Sequence, residues 1–403
     1  MTTVAIISEY NPFHSGHLYQ IEKVREAFGD DTCIIAVMSG NFVQRGTPAI
    51  FDKYTRAQVA LQSGVNLVLE FPFPFCCSGA NFFARNAIDI VNKLNGVDYL
   101  AFGIEAEQLA ILQELSNIIC SESYEIQLKN KIKTSSKNSG FAEIRESVLT
   151  SIAPHIPCDC LRLPNNILAT EYLVALKKTK STIQPFAIQR TVDYHSQTAT
   201  ASGVASASHI RNLISENNIA EALLYTPQTA SALYQSSYSN GFWASQDFDA
   251  FGKIILSHLR INTPQATIFE CNDELTHRIK NAAYKAKNYS DLIKFSQTAH
   301  FTRARVQRAV LHILMSTPTD IGNAAPLYTQ LLATDGTGMR KLKQIHRRGN
   351  IRVLTKPADT HLLCSLEKEQ ANLCAKADSV YSLLQPSLGA GDEFFRKSPY
   401  CVR

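Results

Sequence analysis

The sequence contains no uninterrupted run of eighteen or more apolar residues, so no segment is long enough to cross a bilayer as a helix. Its first residues, Met1 to Thr3, lack the basic region of a signal peptide and lead directly into an apolar run of strand length. We therefore expect a cytoplasmic protein without membrane contact. The 403 residues are 45% hydrophobic and 19% charged, which is typical of a globular protein and excludes a disordered or fibrous chain.

The ten cysteines lack the spacing of a zinc site. The closest pairs are Cys76 with Cys77 and Cys158 with Cys160, and neither has the two-residue gap that is common among zinc ligands. No partner pair lies at the distance that a zinc finger needs. We expect scattered buried thiols and predict no metal ligands.

An RNA-recognition aromatic motif, a zinc knuckle and an internal repeat are also missing. The charge is nevertheless uneven, because residues 251–360 contain 17 Lys and Arg against 7 Asp and Glu, a local +10 that leaves −5 for the rest of the chain. Such an excess favours a polyanion partner, although a solvated helical surface can have the same composition. The basic residues form two clusters: Arg303, Arg305 and Arg308, and then Arg340, Lys341, Lys343, His346, Arg347, Arg348 and Arg352.

Apolar runs of strand length alternate with helical patterns in the first half of the chain. The expected strands are residues 4–8, 33–38, 65–71, 99–102 and 182–189. This alternation predicts βαβ units and a doubly wound parallel sheet, an α/β, Rossmann-like nucleotidyltransferase domain over residues 1–215. In the helix expected at 51–63, Ala57, Ala60 and Leu61 lie on one face, and Lys53 and Arg56 are available to another. From residue 216 no further βαβ unit is expected, which predicts a mainly α-helical, basic domain over residues 216–403.

The first strand leads into Glu-Tyr-Asn-Pro-Phe-His-Ser-Gly-His at residues 9–17, directly before a helical pattern. A helix N-terminus binds phosphate because its first backbone N–H groups lack partners and lie at the positive end of the dipole. Gly16 has no Cβ that would keep a ligand from the backbone. His14 and His17 are three residues apart and share one face, where imidazoles can donate hydrogen bonds to a phosphate. We predict that this stretch is a nucleotide site.

A second phosphate site is predicted where Ser206-Ala-Ser208-His-Ile-Arg211 begins a helix. Ser208 is a suitable N-cap, so backbone N–H groups and Arg211 can face a phosphate. Asn165 or Asn166 is expected to cap an earlier helix in the same way.

These segments and the candidates Gly103 and Arg190 follow the ends of expected strands, where ligands bind in doubly wound sheets. Two phosphate sites suit attack on the α-phosphate of ATP with pyrophosphate as the leaving group. Mg²⁺ is expected with ATP, although no cage of carboxylates can be read from the sequence. The residues alone leave the attacking group open: a phosphorylated metabolite would make the protein an adenylyltransferase, and a carboxylate would give an acyl-adenylate. A nucleotide-binding RNA adaptor without catalysis is a further alternative.

The string His-Ser-Gly-His resembles the signature of the nucleotidyltransferase superfamily that includes class I aminoacyl-tRNA synthetases. With Met-Ser-Gly-Asn-Phe-Val-Gln-Arg-Gly at residues 38–46, the longer string Tyr-Asn-Pro-Phe-His-Ser-Gly-His is similar to the bacterial tRNA(Met) cytidine acetate ligase family. Weaker matches extend over nearly the whole chain. The resemblance implies that acetate is activated with ATP as acetyl-adenylate. The acetyl group then passes to N4 of the wobble cytidine (C34) of elongator tRNA(Met), giving N4-acetylcytidine, with RNA and not DNA as the polyanion.

The resemblance and the residue chemistry together define a predicted site in which His14, His17 and Arg211 are catalytic. The predicted ATP-binding residues are Ile7, Ser8, Glu9, Tyr10, Asn11, Pro12, Phe13, His14, Ser15, Gly16, His17, Leu18, Tyr19, Gln20, Gly103, Asn165, Asn166, Arg190, Ser206 and Ser208. The basic clusters are expected to hold the tRNA. The sequence leaves the oligomeric state open.

Overall fold

The computed structural model describes residues 1–105, 109–135, 140–157, 159–189, 205–262 and 267–402. The strands are β1 (Thr3–Ser8), β2 (Cys33–Ser39), β3 (Leu67–Phe71), β4 (Tyr99–Ile104), β5 (Gln184–Gln189), β6 (Tyr328–Thr334), β7 (Arg352–Leu354) and β8 (Tyr400–Cys401). The helices are α1 (Ser15–Phe28), α2 (Lys53–Gln62), α3 (Ala80–Leu94), α4 (Leu109–Ile119), α5 (Glu122–Thr134), α6 (Phe141–Ile152), α7 (Asp159–Arg162), α8 (Pro164–Lys178), α9 (Ala207–Ser215), α10 (Ile219–Leu223), α11 (Gln228–Ser239), α12 (Asp249–Ile261), α13 (Asp273–Lys285), α14 (Tyr289–Ser296), α15 (Arg303–Met315), α16 (Thr319–Asn323), α17 (Gly336–Arg348), α18 (Ser365–Ser382) and α19 (Glu393–Arg396), with a 3-10 helix at Pro357–Leu362.

The strands form one sheet in the order β5-β4-β1-β2-β3-β6-β7, with β8 paired to β6. Strands β1 to β5 are parallel, as the apolar runs predict. Successive residues face two separate cores: Ile35 of β2 packs in the core that includes α3 and α8, and Ile34 in the core that includes α1 and α2. Helices therefore cover both faces of the sheet, which confirms the doubly wound α/β fold.

The expectation that no βαβ unit follows residue 216 is wrong. Strand β6 pairs antiparallel with β3, and after α17 the chain returns as β7, parallel to β6. The sequence did not indicate strand β6 because the strand contains polar residues. Their side chains are buried against the main chain of the sheet. Thr329 donates to the carbonyl of Glu70 at 2.6 Å and Thr334 to that of Asn66 at 3.3 Å. The second half is thus helical with an extension of the sheet, and the domain boundary at residue 215 stays a prediction.

The structure bears on two predictions from the composition, membrane-spanning helices and the state of the cysteines. None of the helices there combines the length and the apolar character that a bilayer crossing requires. The nine described cysteines are all free thiols, and Cys158 lies outside the described residues.

Lys53 and Arg56 of α2 are fully buried, although the helical pattern separated them from the apolar residues. The Lys53 ammonium lies 2.9 Å from Glu70 Oε2 of β3 and 2.7 Å from Asp378 Oδ2 of α18. Burial works to lower the pKa of Lys53, but the two carboxylates raise it well above its ordinary value. For Asp378 burial has the opposite effect and raises the pKa of the carboxyl group to about 6. This cluster joins three elements and holds α18 against the sheet.

Replacing Lys53 with Met should lower the free energy of unfolding by about 3–5 kcal/mol, because two buried carboxylates would remain without a cation. Chemical denaturation measures this loss. Lys23→Met is the matched control, since Lys23 forms an exposed pair with Glu26 and its loss should barely move the denaturation midpoint. Equal midpoints for the two variants would contradict the stabilising role of the buried cluster.

Candidate active site

A cavity of about 530 Å³ opens at the carboxyl ends of β1, β4 and β5, beside the N-termini of α1, α8 and α9. The structure brings most of the predicted site residues to its wall: Ile7, Ser8, Glu9, Tyr10, Asn11, His14, Gly16, His17, Tyr19, Gln20, Gly103, Asn165, Ser206, Ser208 and Arg211. The other described candidates are not part of the wall: Pro12, Phe13, Ser15, Leu18 and Asn166. Arg190 lies outside the described residues.

The two histidines form a compact pair at the start of α1. His14 is the N-cap, and its Nδ1 accepts from the backbone N–H of Gly16 at 3.0 Å. His17 Nδ1 accepts from the backbone N–H of His14 at 3.2 Å, and the two ring centroids are 3.9 Å apart. A ring nitrogen that accepts a hydrogen bond does not carry a proton, so each neutral ring carries its proton on Nε2. Both imidazoles line the cavity, so each brings an N–H donor to its wall.

Gly16 serves the histidine pair more directly than the sequence indicated. A Cβ at this position would lie 2.9 Å from Cε1 of His14. Any larger residue would therefore displace the imidazole that caps the helix. The glycine is needed for the ring of His14 as well as for the approach of a ligand.

Residues beyond position 216 fix the loop that carries the motif. The hydroxyl of Tyr234 on α11 accepts from the backbone N–H of Phe13 at 2.8 Å. The carbonyl of Tyr225 accepts from both the backbone N–H and the hydroxyl of Ser15, at 3.1 and 3.0 Å. Phe13 and Ser15 thus position the histidines from behind the cavity wall.

Arg56 holds the strand ends that frame the cavity. Its buried guanidinium donates to the carbonyls of Phe51, Glu9, Ser39 and Gly40 at distances of 2.5–3.1 Å. Glu9 directly follows β1, Ser39 is the last residue of β2, and Gly40 directly follows it. Burial lowers the pKa of Arg56 from its ordinary value. One cation therefore sets the relative positions of two strand ends.

The helix start predicted as a second phosphate site is formed, with a different N-cap from the one predicted. Ser206, and not Ser208, is the N-cap of α9, because its hydroxyl accepts from the backbone N–H of His209 at 3.2 Å. The hydroxyl of Ser208 instead accepts from Nη2 of Arg211 at 3.0 Å. Nη1 of Arg211 donates to the carbonyl of Asn11 at 2.6 Å. This guanidinium thus ties α9 to the histidine loop.

Neither Asn165 nor Asn166 caps α8, because Pro164 occupies the first position of that helix and Leu163 is the N-cap. Asn166 is fully buried, and its Oδ1 accepts from the backbone N–H of Glu105 at 3.0 Å. Asn165 lines the cavity and donates to the Glu105 carboxylate. Asn166 therefore fixes the end of β4, while Asn165 is the one that can meet a ligand.

The loop after β2 is a part of the cavity wall that the predicted site residues do not include. Gln44, Arg45 and Thr47 line the cavity, together with Phe83 of α3 and Tyr172 of α8. The sequence signal for the loop was available, because it follows the second strand and lies at the same edge of the sheet as the histidine motif.

No group of three or more His, Cys, Asp or Glu residues that could hold a metal ion exists among the described residues. Glu9 is the one carboxylate in the part of the cavity wall that the structure describes. These residues do not form a cage for Mg²⁺, so the ion is best treated as part of an ATP substrate.

The first basic cluster lies on the cavity side of the sheet. The backbone of Arg308 on α15 packs against Gly46 of the loop after β2, where a Cβ would lie 2.8 Å from its Cα. The side chain of Arg308 pairs with Glu270 at 2.7 Å and is largely buried, so its charge is not available to a distant phosphate. Arg303 is exposed, and the guanidinium of Arg305 lies 5.0 Å from the ring centroid of Phe301.

The second basic cluster lies along the opposite edge of the sheet. Helix α17 contacts the segments that precede β3 and β4: Asp335 N–H donates to the carbonyl of Asn66 at 3.1 Å, and Lys341 Nζ donates to that of Gly96 at 2.5 Å. Lys341 is 4% exposed and cannot reach a partner, contrary to the prediction. The exposed members of this cluster are Arg340, Lys343, His346, Arg347, Arg348 and Arg352.

Comparison with known proteins places this site in context. Residues 1–393 match the family described as HIGH Nucleotidyl Transferase. The chain is 34% identical over 361 residues to a tRNA(Met) cytidine acetate ligase from a Thermoanaerobacter species, covering 88% of this chain and 89% of that protein. A tRNA(Met) cytidine acetate ligase from Clostridium perfringens is 33% identical over 409 residues, covering 98% of each chain.

Solved structures agree with the sequence comparison. The crystal structure of apo Thermotoga maritima TmcAL superposes with a TM-score of 0.92 at 26% identity, covering 100% of both chains. The same protein bound with alpha-thio ATP superposes with a TM-score of 0.90. The fold, the histidine motif and the relatives agree, and the chain belongs to the HIGH nucleotidyl transferase family, among its tRNA(Met) cytidine acetate ligases.

Proposed function

We propose that the protein activates acetate with ATP as acetyl-adenylate and transfers the acetyl group to N4 of the wobble cytidine of elongator tRNA(Met), in the cytoplasm. The observation that carries the proposal is the pair of Nε2–H donors at the N-terminus of α1, in the cavity at the strand ends. A relative of the same fold holds alpha-thio ATP, and the relatives named above act on tRNA(Met) cytidine and acetate.

In the first step a carboxylate oxygen of acetate attacks the α-phosphorus of ATP, and pyrophosphate leaves. Negative charge increases on the α-phosphoryl oxygens, and His14 and His17 are placed to donate to them through Nε2–H. Fixed donors of this kind typically contribute about 10²–10³ in rate, because they need no reorganisation during the reaction. The N-terminus of α9 and Arg211 supply positive potential for the leaving pyrophosphate. Mg²⁺, when bound to ATP, neutralises part of the phosphate charge.

For the tRNA we propose a contact surface with two parts. Arg303 and Arg305 lie on α15, whose Arg308 packs against the loop after β2 that lines the cavity. The exposed face of α17 lies on the far edge of the sheet and suits phosphates of a more distant part of the tRNA. A large polyanion such as a tRNA can contact both basic surfaces at once, whereas binding of a small phosphorylated metabolite requires neither surface.

Replacing His17 with Ala should lower acetate-dependent exchange between ATP and pyrophosphate by about 10²–10³, since one donor to the α-phosphoryl group is lost. Exchange of labelled pyrophosphate into ATP measures this. His14→Ala should lower it at least as far, because the N-cap of α1 is lost as well. His277→Ala is the matched control, since this exposed histidine of α13 should leave exchange within two-fold of the parent. Undiminished exchange in both motif variants would favour a nucleotide-binding adaptor.

Replacing Arg340, Lys343 and Arg347 with Gln should weaken tRNA(Met) binding and flatten its salt dependence. Each lost phosphate contact removes about 0.7–0.9 from the slope of log K against log salt, so we expect a slope about 2 smaller. Arg303→Gln with Arg305→Gln should flatten the slope by about 1–2 on the same basis. Filter binding over a salt series measures both effects.

A variant with Lys23, Lys129 and Lys253 changed to Gln removes the same number of charges elsewhere. Each of these lysines forms an exposed pair with a neighbouring carboxylate. The control should keep the salt slope of the parent. An equal slope for the control and the α17 variant would mean that α17 supports the fold and does not contact the tRNA.

A further inference from the structure

Transfer of an acetyl group to cytidine, which the proposed function includes, requires a proton acceptor. The exocyclic nitrogen of cytosine is conjugated with its ring and is a weak nucleophile. As it bonds to the acetyl carbon it becomes acidic, and its proton must leave to give the amide. A positioned base commonly contributes about 10²–10⁴ to such a step.

The two histidines of the motif are not available for this task. Nδ1 of His14 accepts from Gly16 N–H, and Nδ1 of His17 accepts from His14 N–H. The remaining nitrogen of each ring therefore holds a proton and is a donor. The pair that serves the phosphoryl group thus has no free acceptor for a proton from the amine.

Glu9 is the acceptor that remains. Its Oε1 accepts from the backbone N–H of Gln44 at 2.9 Å, which aims the carboxylate from the end of β1 toward the loop after β2. Its carbonyl is held by Arg56 at 2.5 Å, so both ends of the residue are fixed. No described residue donates to its second oxygen, Oε2, and the residue lines the cavity.

The position of this carboxylate is informative because the cavity must also hold anions. A carboxylate beside acetate and ATP raises the energy of both, unless its oxygens have donors to accept from. Gln44 N–H serves Oε1, and an amine of the acceptor base supplies a donor for Oε2. Glu9 also lies at the end of the cavity formed by Gln44 and Arg45, where the loop after β2 meets α15 through Gly46. This part of the cavity wall adjoins α15, the helix that carries Arg303 and Arg305 of the proposed tRNA surface.

We propose that Glu9 accepts a hydrogen bond from N4 of the cytidine and takes its proton during acetyl transfer. The bond between N4 and the acetyl carbon forms, and the bond between that carbon and the phosphate oxygen of acetyl-adenylate breaks. AMP leaves with the electron pair of the broken bond. The proton from N4 goes to Oε2 of Glu9 and from there to solvent.

The test compares the two half-reactions in Glu9→Gln, which keeps the size of the side chain and the acceptor for Gln44 N–H. Transfer is measured in a single turnover, from synthetic acetyl-adenylate to a tRNA(Met) transcript, and activation is measured by acetate-dependent ATP–pyrophosphate exchange. We expect transfer to fall at least 30-fold further than exchange, in line with the ~10²–10⁴ contribution of a general base.

Glu105→Gln is the matched control, because this carboxylate positions Asn165 at the other side of the cavity. Its loss should lower exchange, through a higher KM for ATP, at least as far as it lowers transfer from synthetic acetyl-adenylate. Equal losses of exchange and transfer in Glu9→Gln, the result expected of a magnesium or adenine contact, would overturn the assignment. Wild-type transfer in a folded Glu9→Gln would overturn it as well. Absence of exchange in the parent protein would instead contradict the proposed function itself.

Discussion

The guanidinium of Arg56 is the interaction on which the active-site region most depends. It is fully buried and donates to carbonyls at the ends of β1 and β2, which diverge into separate loops. Without it, several buried carbonyls would lose their partner, at a cost of about 1–3 kcal/mol each. The same contact fixes the backbone of Glu9, five residues before His14. The positions of both the proposed base and the phosphate donors thus follow from one buried cation.

The parts of this fold that could be predicted are those that local chemistry decides. The continuous apolar run at Cys33–Ser39 is typical of a strand covered on both faces, and it is one. The histidine motif was located correctly because a strand, a proline and a glycine leave little choice of backbone there. The sequence does not show which serine is the N-cap of α9, since either Ser206 or Ser208 can cap a helix. Only the tertiary contact of Arg211 with Asn11 distinguishes them.

The errors share a physical cause, which is that burial of polar groups depends on partners far away in sequence. The burial of Lys53 depends on its pairing with Glu70 and with Asp378, which lies more than three hundred residues later. Thr329 and Thr334 belong to a buried strand only because β3 presents free carbonyls to them. No pattern within α2 or β6 contains that information. Tyr225 and Tyr234 likewise support the histidine loop from a part of the chain predicted to form a separate domain.

The central claim is that the paired imidazoles of α1 activate acetate for transfer to a cytidine of tRNA. The most direct test is mass analysis of nucleosides from tRNA(Met) after incubation with the protein, ATP and isotope-labelled acetate. The account predicts labelled N4-acetylcytidine at the wobble position only when ATP is present, and none in a tRNA that lacks cytidine there. If the protein binds both ATP and tRNA(Met) but the tRNA carries no labelled acetyl group after incubation, the claim is contradicted.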